Sequence, residues 1–249
     1  MGLFGWLGRR PVVLGISVAG LGVVAGAGWL VWDQTHVSDI PPTWAVPAAR
    51  QLTASPDEQI FRVHARRSEV AYDVEERLAG VSRAAHGTTS GIAGDIAFNA
   101  AAPAQSRFGP IVVDVQQLSS DEGLRDRRLR HDFLESGKYP LATFSPVAVD
   151  GLDDPDLLRG APVEVEIRGV LGVKTTTAPV TFTGSVTKTA DAIHLIAEAD
   201  VKLSTFDVGP IELIGLVKTS DDARLSLDVT FVDPSKEAIP ATVLAPEQK

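Results

Sequence analysis

Apolar and polar residues alternate along several stretches of this chain, and this alternation constrains the fold more than any other feature. From Ile193 to Leu203 every second position is apolar, and Ile196 is the exception on the other face. A helix cannot place every second side chain on one side, so the pattern predicts β-strands with one buried face. The same period recurs at 163–168 and 225–231, and more weakly at 60–64, 68–76, 91–98, 111–115, 142–149 and 178–186.

These strands, about eight in number, must cover both their apolar faces and their edges. Closure into an antiparallel barrel achieves both. A barrel of this size is either filled by its own side chains or holds one small ligand. Between the strands, Ser119 and Glu122 have the spacing of a capping box and precede a stretch with helical periodicity. We therefore predict an all-β, antiparallel barrel over residues 59–233, with one short helix from about residue 120 to 134.

The N-terminal part of the chain has the features of a membrane anchor. Residues 11–32 form a run of 22 residues without a charge. As a helix this run would be roughly 33 Å long, which is enough to cross the hydrocarbon core of a bilayer. Arg9 and Arg10 precede the run, and Asp33 and Asp39 follow it. The positive-inside rule then predicts a single-pass cell-membrane protein with a cytoplasmic N-terminus and an extracellular or periplasmic β domain.

A cleaved signal peptide is the alternative, because Ala25-Gly26-Ala27 resembles a cleavage site. The apolar run continues beyond that point, which favours an uncleaved transmembrane helix. Gly22 and Gly26 have GxxxG spacing, which allows an anchor-mediated dimer, although small residues tolerated in a lone span are the favoured explanation of the motif. The predicted organisation is a basic cytoplasmic end (1–10), the anchor (11–32), a Pro-rich linker (33–58), the β domain (59–233) and a flexible tail (234–249).

Composition excludes several classes of function. The net charge of -9 argues against a nucleic-acid partner, which would require a basic face. The chain has no Cys, so disulfides and thiolate metal sites are excluded. None of the five His residues has the spacing of a metal-ligand motif. We therefore predict neither a metal nor a catalytic cofactor.

A family resemblance begins in the predicted helix and continues into the following strand. The residues that carry it occur in a fixed order: Arg125-Asp126, Leu129, Asp132-Phe133-Leu134, Tyr139-Pro140 and Thr143-Phe144. This order resembles the signature of the YceI-like family. Residues 68–74, 87–98 and 167–170 resemble other strands of the family, so the resemblance covers about 59–232.

The resemblance implies a lipocalin-like antiparallel barrel. It also implies that the lumen holds a polyisoprenoid or a related amphiphile, such as an isoprenoid quinone. Two places depart from the family pattern: Arg67 stands where the family has His, and residues 203–209 lack the family's Arg. These departures concern the ligand's head group and the end of the barrel, not the fold.

Candidate ligand-binding residues are apolar positions of the predicted strands and the aromatic residues of the predicted β domain. The predicted lumen residues are Phe98, Phe133, Tyr139, Phe144, Val165, Ile167, Phe182, Leu195, Ala197, Ala199 and Phe206. Ala197 and Ala199, with Gly94 and Gly184, are small residues that would leave space for a ligand. The alternative, that they only permit tight packing, is equally well supported by the sequence.

The charged residues of the predicted helix are candidates for contact with the polar part of a ligand. Arg125 or Arg130 is expected to meet a ligand head group, although exposed arginines in such a cluster are usually solvated. Asp126, together with Arg125, is expected to fix the helix against the barrel.

Three functions are compatible with these features. The favoured one is non-catalytic binding and carriage of a long apolar lipid on the outer face of the cytoplasmic membrane. A lipid-acting hydrolase is the second, and it rests on the neighbouring His131 and Asp132, without a nucleophile motif to support them. A structural or adhesive module with a filled barrel is the third.

Overall fold

The computed structural model of the protein describes residues 43–78, 80–213 and 217–244. Its first strands are β1 (Thr43–Ala45), β2 (Glu58–Val63), β3 (Glu69–Leu78), β4 (Val81–Thr89), β5 (Ile92–Ala93), β6 (Asp95–Asn99), β7 (Arg107–Phe108), β8 (Ile111–Asp114) and β9 (Ser119–Ser120). A short helix, α1 (Gly123–Arg128), continues into a π-helical turn at Leu129–Phe133. The remaining strands are β10 (Leu141–Asp150), β11 (Val163–Val173), β12 (Thr176–Lys188), β13 (Ala192–Lys202), β14 (Glu212–Leu213), β15 (Val217–Val232) and β16 (Thr242–Leu244).

The main sheet is a curled, antiparallel half-barrel. Strands β8, β10, β11, β12, β13 and β15 are neighbours in that order. β15 then pairs with β3 along most of its length and with β2 at its end. The curl brings both ends of this strand order to residues 91–99, where β5 pairs with β8 and β6 pairs with β2. Within these residues, Gly91 O accepts from Asp114 N–H at 2.7 Å, and Gly94 O accepts from Val63 N–H at 3.0 Å. The predicted all-β, antiparallel class with a short helix is confirmed.

The alternating pattern places side chains as the sequence predicts. In β11, Val163, Val165 and Ile167 are buried, while the residues between them are exposed. In β13, Ile196 is 49% exposed, so this apolar residue does lie on the outer face. The inward residues build a continuous apolar core, in which Phe61 and Phe231 are almost completely inaccessible.

Strand β4 was not predicted from the sequence. Its buried positions carry only Ala85, Gly87 and Thr89, so no period in hydrophobicity is visible. The strand forms because β3 pairs with it along its full length, from Leu78 opposite Val81 to Val70 opposite Thr89. Pairing with a neighbour, rather than its own composition, therefore determines this element.

The helix begins later than predicted, and the expected capping box is absent. Ser120 belongs to β9, and α1 starts at Gly123. Glu122 occupies the N-cap position, where its side chain makes no capping hydrogen bond. Instead, Ser120 Oγ accepts a hydrogen bond from Glu122 N–H at 3.2 Å. The spacing that suggested a capping box thus belongs to a turn between a strand and a helix.

Segments outside the main sheet also pair. β1 and β16 form an antiparallel ladder, with Trp44 opposite Val243. This ladder joins part of the predicted linker to part of the predicted tail. Across residues 43–78, 80–213 and 217–244, no helix combines the length and the apolarity needed to cross a bilayer. The predicted anchor, residues 11–32, lies outside the described ranges.

Candidate functional site

An apolar cavity of about 280 Å³ lies between the inner face of the curled sheet and the helix. Strands from around the sheet, together with the π-helical turn, contribute apolar side chains to its wall, including Val70, Val113, Leu129, Leu171, Val201 and Leu225. These are inward positions of the alternating strands, so the period-two pattern itself produces the lining. Such a space suits a ligand with a long apolar part.

A smaller cavity of about 60 Å³ adjoins the larger one. Ile111, Phe144 and Leu227 line both cavities and therefore separate them. The ring of Phe144 packs edge-to-face on Phe182, with 5.0 Å between the ring centroids. It also lies over Gly169, where a Cβ atom would come within 2.5 Å of Phe144 Cζ. The partition between the cavities therefore includes an aromatic ring that is held by an aromatic neighbour and a glycine.

Lys174 ties the end of the helix to the sheet. It lies in the turn between β11 and β12 with φ +54°, and its side chain is only 8% exposed. Its ammonium group donates to Phe133 O at 3.1 Å and to Asp207 O at 2.8 Å, and Glu135 Oε1 is 3.0 Å away. Because Phe133 and Phe206 both line the larger cavity, this contact fixes two parts of the cavity wall.

Arg125 forms the centre of an ion-pair network at one end of the larger cavity. Its Nη2 donates to Glu76 Oε1 at 2.8 Å and to Glu122 Oε2 at 3.3 Å, and its Nη1 donates to Asp121 Oδ1 at 2.6 Å. Burial disfavours the charged guanidinium, but the bonds to Asp121 and Glu76 outweigh it and raise the pKa of Arg125. The arginine is therefore a permanent cation held by carboxylates from β3 and from the turn that precedes the helix.

Asp126 fixes the start of the helix through Ser120, whose hydroxyl oxygen also accepts from Arg125 Nη1 at 3.1 Å. Its carboxylate is buried and accepts from Ser120 N–H at 2.9 Å and from Ser120 Oγ–H at 2.6 Å. These bonds connect α1 to β9, which in turn pairs with β4. The partner of the Asp126 carboxylate is therefore Ser120, whereas the sequence predicted Arg125.

The predicted lumen residues are distributed over two cavities and the core. Phe133, Phe144, Phe182 and Phe206 line the larger cavity. The residues at the smaller cavity are Phe98, Phe144, Val165, Ile167 and Leu195. Tyr139 is partly exposed and lines neither; Lys138 Nζ lies 4.8 Å from its ring centroid. Of the two head-group candidates, Arg125 lines the larger cavity, whereas Arg130 lines neither and donates to Leu118 O at 2.6 Å.

The small inward residues do not create the cavity. Ala197 and Ala199 are buried in the core and line neither space. A Cβ at Gly184 would meet Ile196 O, and one at Gly94 would meet Ile111 Cδ1 at 2.5 Å. Neighbouring strands and side chains therefore fill the volume that these residues leave, and tight packing is the correct explanation of them.

Sequence reasoning missed Tyr72 and Glu76, which line the larger cavity from β3. Both stand at alternate positions of a stretch that was predicted to be a strand, so their face could have been derived from its register. The sequence does not show that they lie beside Arg125, because Glu76 and Arg125 are 49 residues apart in the chain.

The residues proposed for a hydrolase do not lie at a cavity. His131 and Asp132 are both exposed, and neither contributes to the two cavity walls. Asp132 lies 4.0 Å from Arg128 Nη1, which is the spacing of a weak surface ion pair. Within the described ranges, no cluster of three or more His, Asp or Glu residues could hold a metal ion.

Comparison with solved structures identifies the fold. BcnA from Burkholderia cenocepacia is 19% identical, with a TM-score of 0.54 over 68% of this chain and 98% of BcnA. A polyisoprenoid-binding domain from Saccharophagus degradans, implicated in plant cell wall breakdown, is 13% identical, with a TM-score of 0.52 over 70% of this chain and 98% of that domain. At these identities the similarity is one of fold alone. A comparison with curated protein sequences gave no match.

The curled antiparallel sheet, with an apolar cavity on its inner face and one helix in the cavity wall, defines a lipocalin-like fold. The family can be assigned more specifically than the fold, because residues 61–231 match the YceI-like domain. The chain therefore belongs to the YceI-like family, as the residues around the helix predicted.

Proposed function

We propose that this protein binds a long apolar lipid, an isoprenoid or a similar chain, in the larger cavity and performs no chemistry on it. The observation that carries the proposal is the cavity itself, whose wall is apolar apart from a few side chains at one end. Burial of apolar surface contributes roughly 25 cal/mol per Å², so an apolar chain can be held without any catalytic group. The fold shared with a polyisoprenoid-binding domain supports this ligand class.

The membrane setting is part of the same proposal. The uncharged run at residues 11–32 and the charges that flank it support a single-pass anchor with a cytoplasmic N-terminus. The domain would then act on the outer face of the cytoplasmic membrane, where apolar lipids need a carrier or a reservoir. Gly22 and Gly26 support a dimer of anchors.

The two other functions have less support. A structural module with a filled barrel does not account for a cavity of about 280 Å³. A hydrolase that uses His131 and Asp132 does not account for their distance from both cavity walls.

Lipid extraction from the purified full chain tests the proposal. The protein is purified in detergent, extracted with organic solvent and compared by mass spectrometry with an unrelated single-pass protein from the same cells. We expect an apolar lipid enriched in near-stoichiometric amount, or saturable binding of added nonaprenol. If no lipid co-purifies and nonaprenol does not bind, the proposed function is wrong.

A further inference from the structure

Solvent-exposed charged residues in the wall of the larger cavity mark its mouth. Glu122 and Arg128 line the cavity, and their side chains are 41% and 32% exposed. Both belong to the region where the helix starts, which Arg125 joins to Glu76 of β3 at 2.8 Å. Thr219 of β15 is opposite Glu76 and also lines the cavity. The mouth therefore lies where the start of the helix meets β3 and β15.

The turn between β3 and β4 carries apolar residues next to this mouth. Val81 is 59% exposed, although it is apolar. Leu78, two residues beyond Glu76 in β3, is opposite both Val81 of β4 and Val217 of β15. Leu213 of β14 is in turn opposite Val217. Four strands thus place apolar residues at neighbouring positions of their ladders, which is the kind of surface that a partner covers.

Basic residues flank this turn, and two of them stand opposite each other without an acidic partner. Residues 77–83 begin and end with arginine and contain no carboxylate, although the chain has a net charge of -9. Arg77 is directly opposite Lys218 of β15, and both are exposed. Within the described ranges neither has a carboxylate within 4.0 Å, even though Glu212 is opposite Lys218 on β14. Like charges in this arrangement destabilise a sheet, and an anionic partner would remove the repulsion.

An exposed apolar residue between basic residues is typical of a segment that binds a membrane surface. The apolar side chain enters the boundary of the acyl region, while the cations stay with anionic head groups. The long stems of arginine and lysine allow both contacts at once. A second copy of this chain fits less well, because a symmetric contact at the turn would bring Arg77 and Lys218 close to the same two cations of the other copy.

We propose that the β3–β4 turn, with Val81, Arg77 and Lys218, docks on the surface of a bilayer that contains anionic lipids. Docking there turns the mouth of the larger cavity towards the acyl region, so that an apolar lipid passes between the bilayer and the cavity with little exposure to water. This inference rests on the proposed function and adds the route by which the cavity is loaded.

A fluorescent label at Val81 tests the docking on the full chain. The chain has no Cys, so Val81→Cys carries a nitrobenzoxadiazole label at one site. The protein is incorporated into nanodiscs, one copy each, made of phosphatidylcholine alone or mixed with phosphatidylglycerol. We expect the label to emit at a shorter wavelength in the anionic discs, and the shift to shrink at high salt. Val147→Cys, in the bulge of β10 and 76% exposed, is the control and should show no shift.

The double variant Arg77→Gln/Lys218→Gln tests the role of the two cations in loading. Nonaprenol is supplied in the anionic discs, and the amount bound by the protein is followed over time by native mass spectrometry. We expect loading to slow about fivefold for each cation removed, the contribution of one basic residue near an anionic surface. Nonaprenol affinity in detergent should stay that of the wild type. Arg168→Gln/Arg224→Gln removes two exposed cations elsewhere on the sheet and should leave loading unchanged.

The outcomes separate this inference from the proposed function. A Val81 label that stays in a water-like environment in both kinds of disc overturns the inference, and so does wild-type loading by the double variant. A shift that occurs only in discs with two copies also overturns it and indicates a second copy as the partner. If nonaprenol binds in detergent, the proposed lipid binding survives each of these results. If nonaprenol does not bind in detergent, the proposed function is wrong whatever the label shows. A chain that does not enter the discs contradicts the proposed membrane setting, and the inference fails with it.

Discussion

At the scale of single residues, the glycines of the sheet show how small positions determine where larger side chains lie. A Cβ at Gly87 would come within 2.5 Å of Tyr72 Cε1. Because the obstructing atoms belong to the end of one side chain, the phenol can move aside without a shift of the backbone. Gly87 therefore positions Tyr72 more than it stabilises the fold.

Gly87→Ala should displace the Tyr72 ring, which lines the larger cavity. We expect nonaprenol affinity to fall about twofold to tenfold, because the displaced ring changes the shape of the cavity wall. Gly172→Ala is a matched control in a strand, because its Cβ would make only ordinary contacts, the nearest at 3.5 Å. Equal nonaprenol affinity of the two variants would show that Gly87 does not position Tyr72.

The sequence predicts correctly which residues line the cavity where the register of one strand determines their environment. It predicts this poorly where the packing of two elements determines it. Phe144 and Phe182 were assigned to the lumen from register alone, and both line the larger cavity. Ala197 was expected to leave space, but the packing of neighbouring strands is not visible in a single strand's pattern. The position of Tyr72 depends on its packing against Gly87, which is not near it in sequence.

At the scale of elements, the helix is held at its two ends by different chemistry. Asp126 ties its start to Ser120 of β9, and Lys174 ties its end to Asp207. The polar groups of a short helix need such partners, because six residues of α-helix are marginal on their own. The cavity wall formed by the helix therefore depends on these two contacts.

Lys174→Met keeps the aliphatic stem of the side chain and removes its ammonium group. The carbonyls of Phe133 and Asp207 then lose their donor, so we expect the free energy of unfolding to fall by about 1–3 kcal/mol. Hydrogen exchange at residues 129–134 should become faster than in the wild type. Lys138→Met, at an exposed position of the same region, should change neither quantity. Unaltered exchange in Lys174→Met would mean that the lysine does not hold the helix.

The start of β2 carries a pH-sensitive ion pair. Hydrogen bonds from Arg107 and from Ser55 N–H lower the pKa of Glu58 from its ordinary 4.5 to about 2. Because the folded-state value is depressed, the stabilisation is fully present above pH 4.5 and is lost as the pH falls towards 2. The pair connects β2 to β7 and, through Arg107 Nη2 and Thr53 O at 2.8 Å, to the segment before β2.

Urea unfolding at several pH values measures this contribution. We expect the wild type to be more stable than Glu58→Gln at neutral pH, and the difference to shrink between pH 4.5 and 2. Glu164→Gln, at an exposed position of β11, is the control and should show no such convergence. A constant difference down to pH 2 would contradict the assignment of the shift to Glu58.

Elements with strong periodicity were predictable, and those that depend on partners were not. β11 and β13 were found because each alternates over many residues. β4 was missed because its inner face carries Ala, Gly and Thr. The start of the helix was misplaced because a strand, β9, takes up Ser120 through its pairing with Gly87.

At the scale of the whole molecule, the two cavities lie in one curled sheet and are separated by Phe144, Ile111 and Leu227, of which Phe144 is the largest. Phe144→Ala should join them and allow a longer apolar chain to enter. Mass spectrometry of the lipids bound by the full chain should then show a shift towards longer chains than in the wild type. The truncation costs about 3–5 kcal/mol, so a thermal unfolding curve must confirm that the variant is folded. An unchanged length distribution in a folded variant would show that the ring does not limit the ligand.

The central claim is that the apolar cavity is where the lipid binds, and two adjacent residues of β4 test it most directly. Ala85 is buried and lines the larger cavity, whereas Ala84 is exposed on the opposite face. Native mass spectrometry of the full chain with added nonaprenol would compare Ala85→Phe with Ala84→Phe. Ala142→Phe places a Phe at a second position of the cavity wall, so the test does not depend on the folding of one variant.

We predict that Ala84→Phe binds nonaprenol like the wild type. Ala85→Phe and Ala142→Phe should keep the β-sheet circular dichroism of the wild type and lose at least tenfold in affinity. Wild-type affinity in both cavity variants, each folded, would contradict the account.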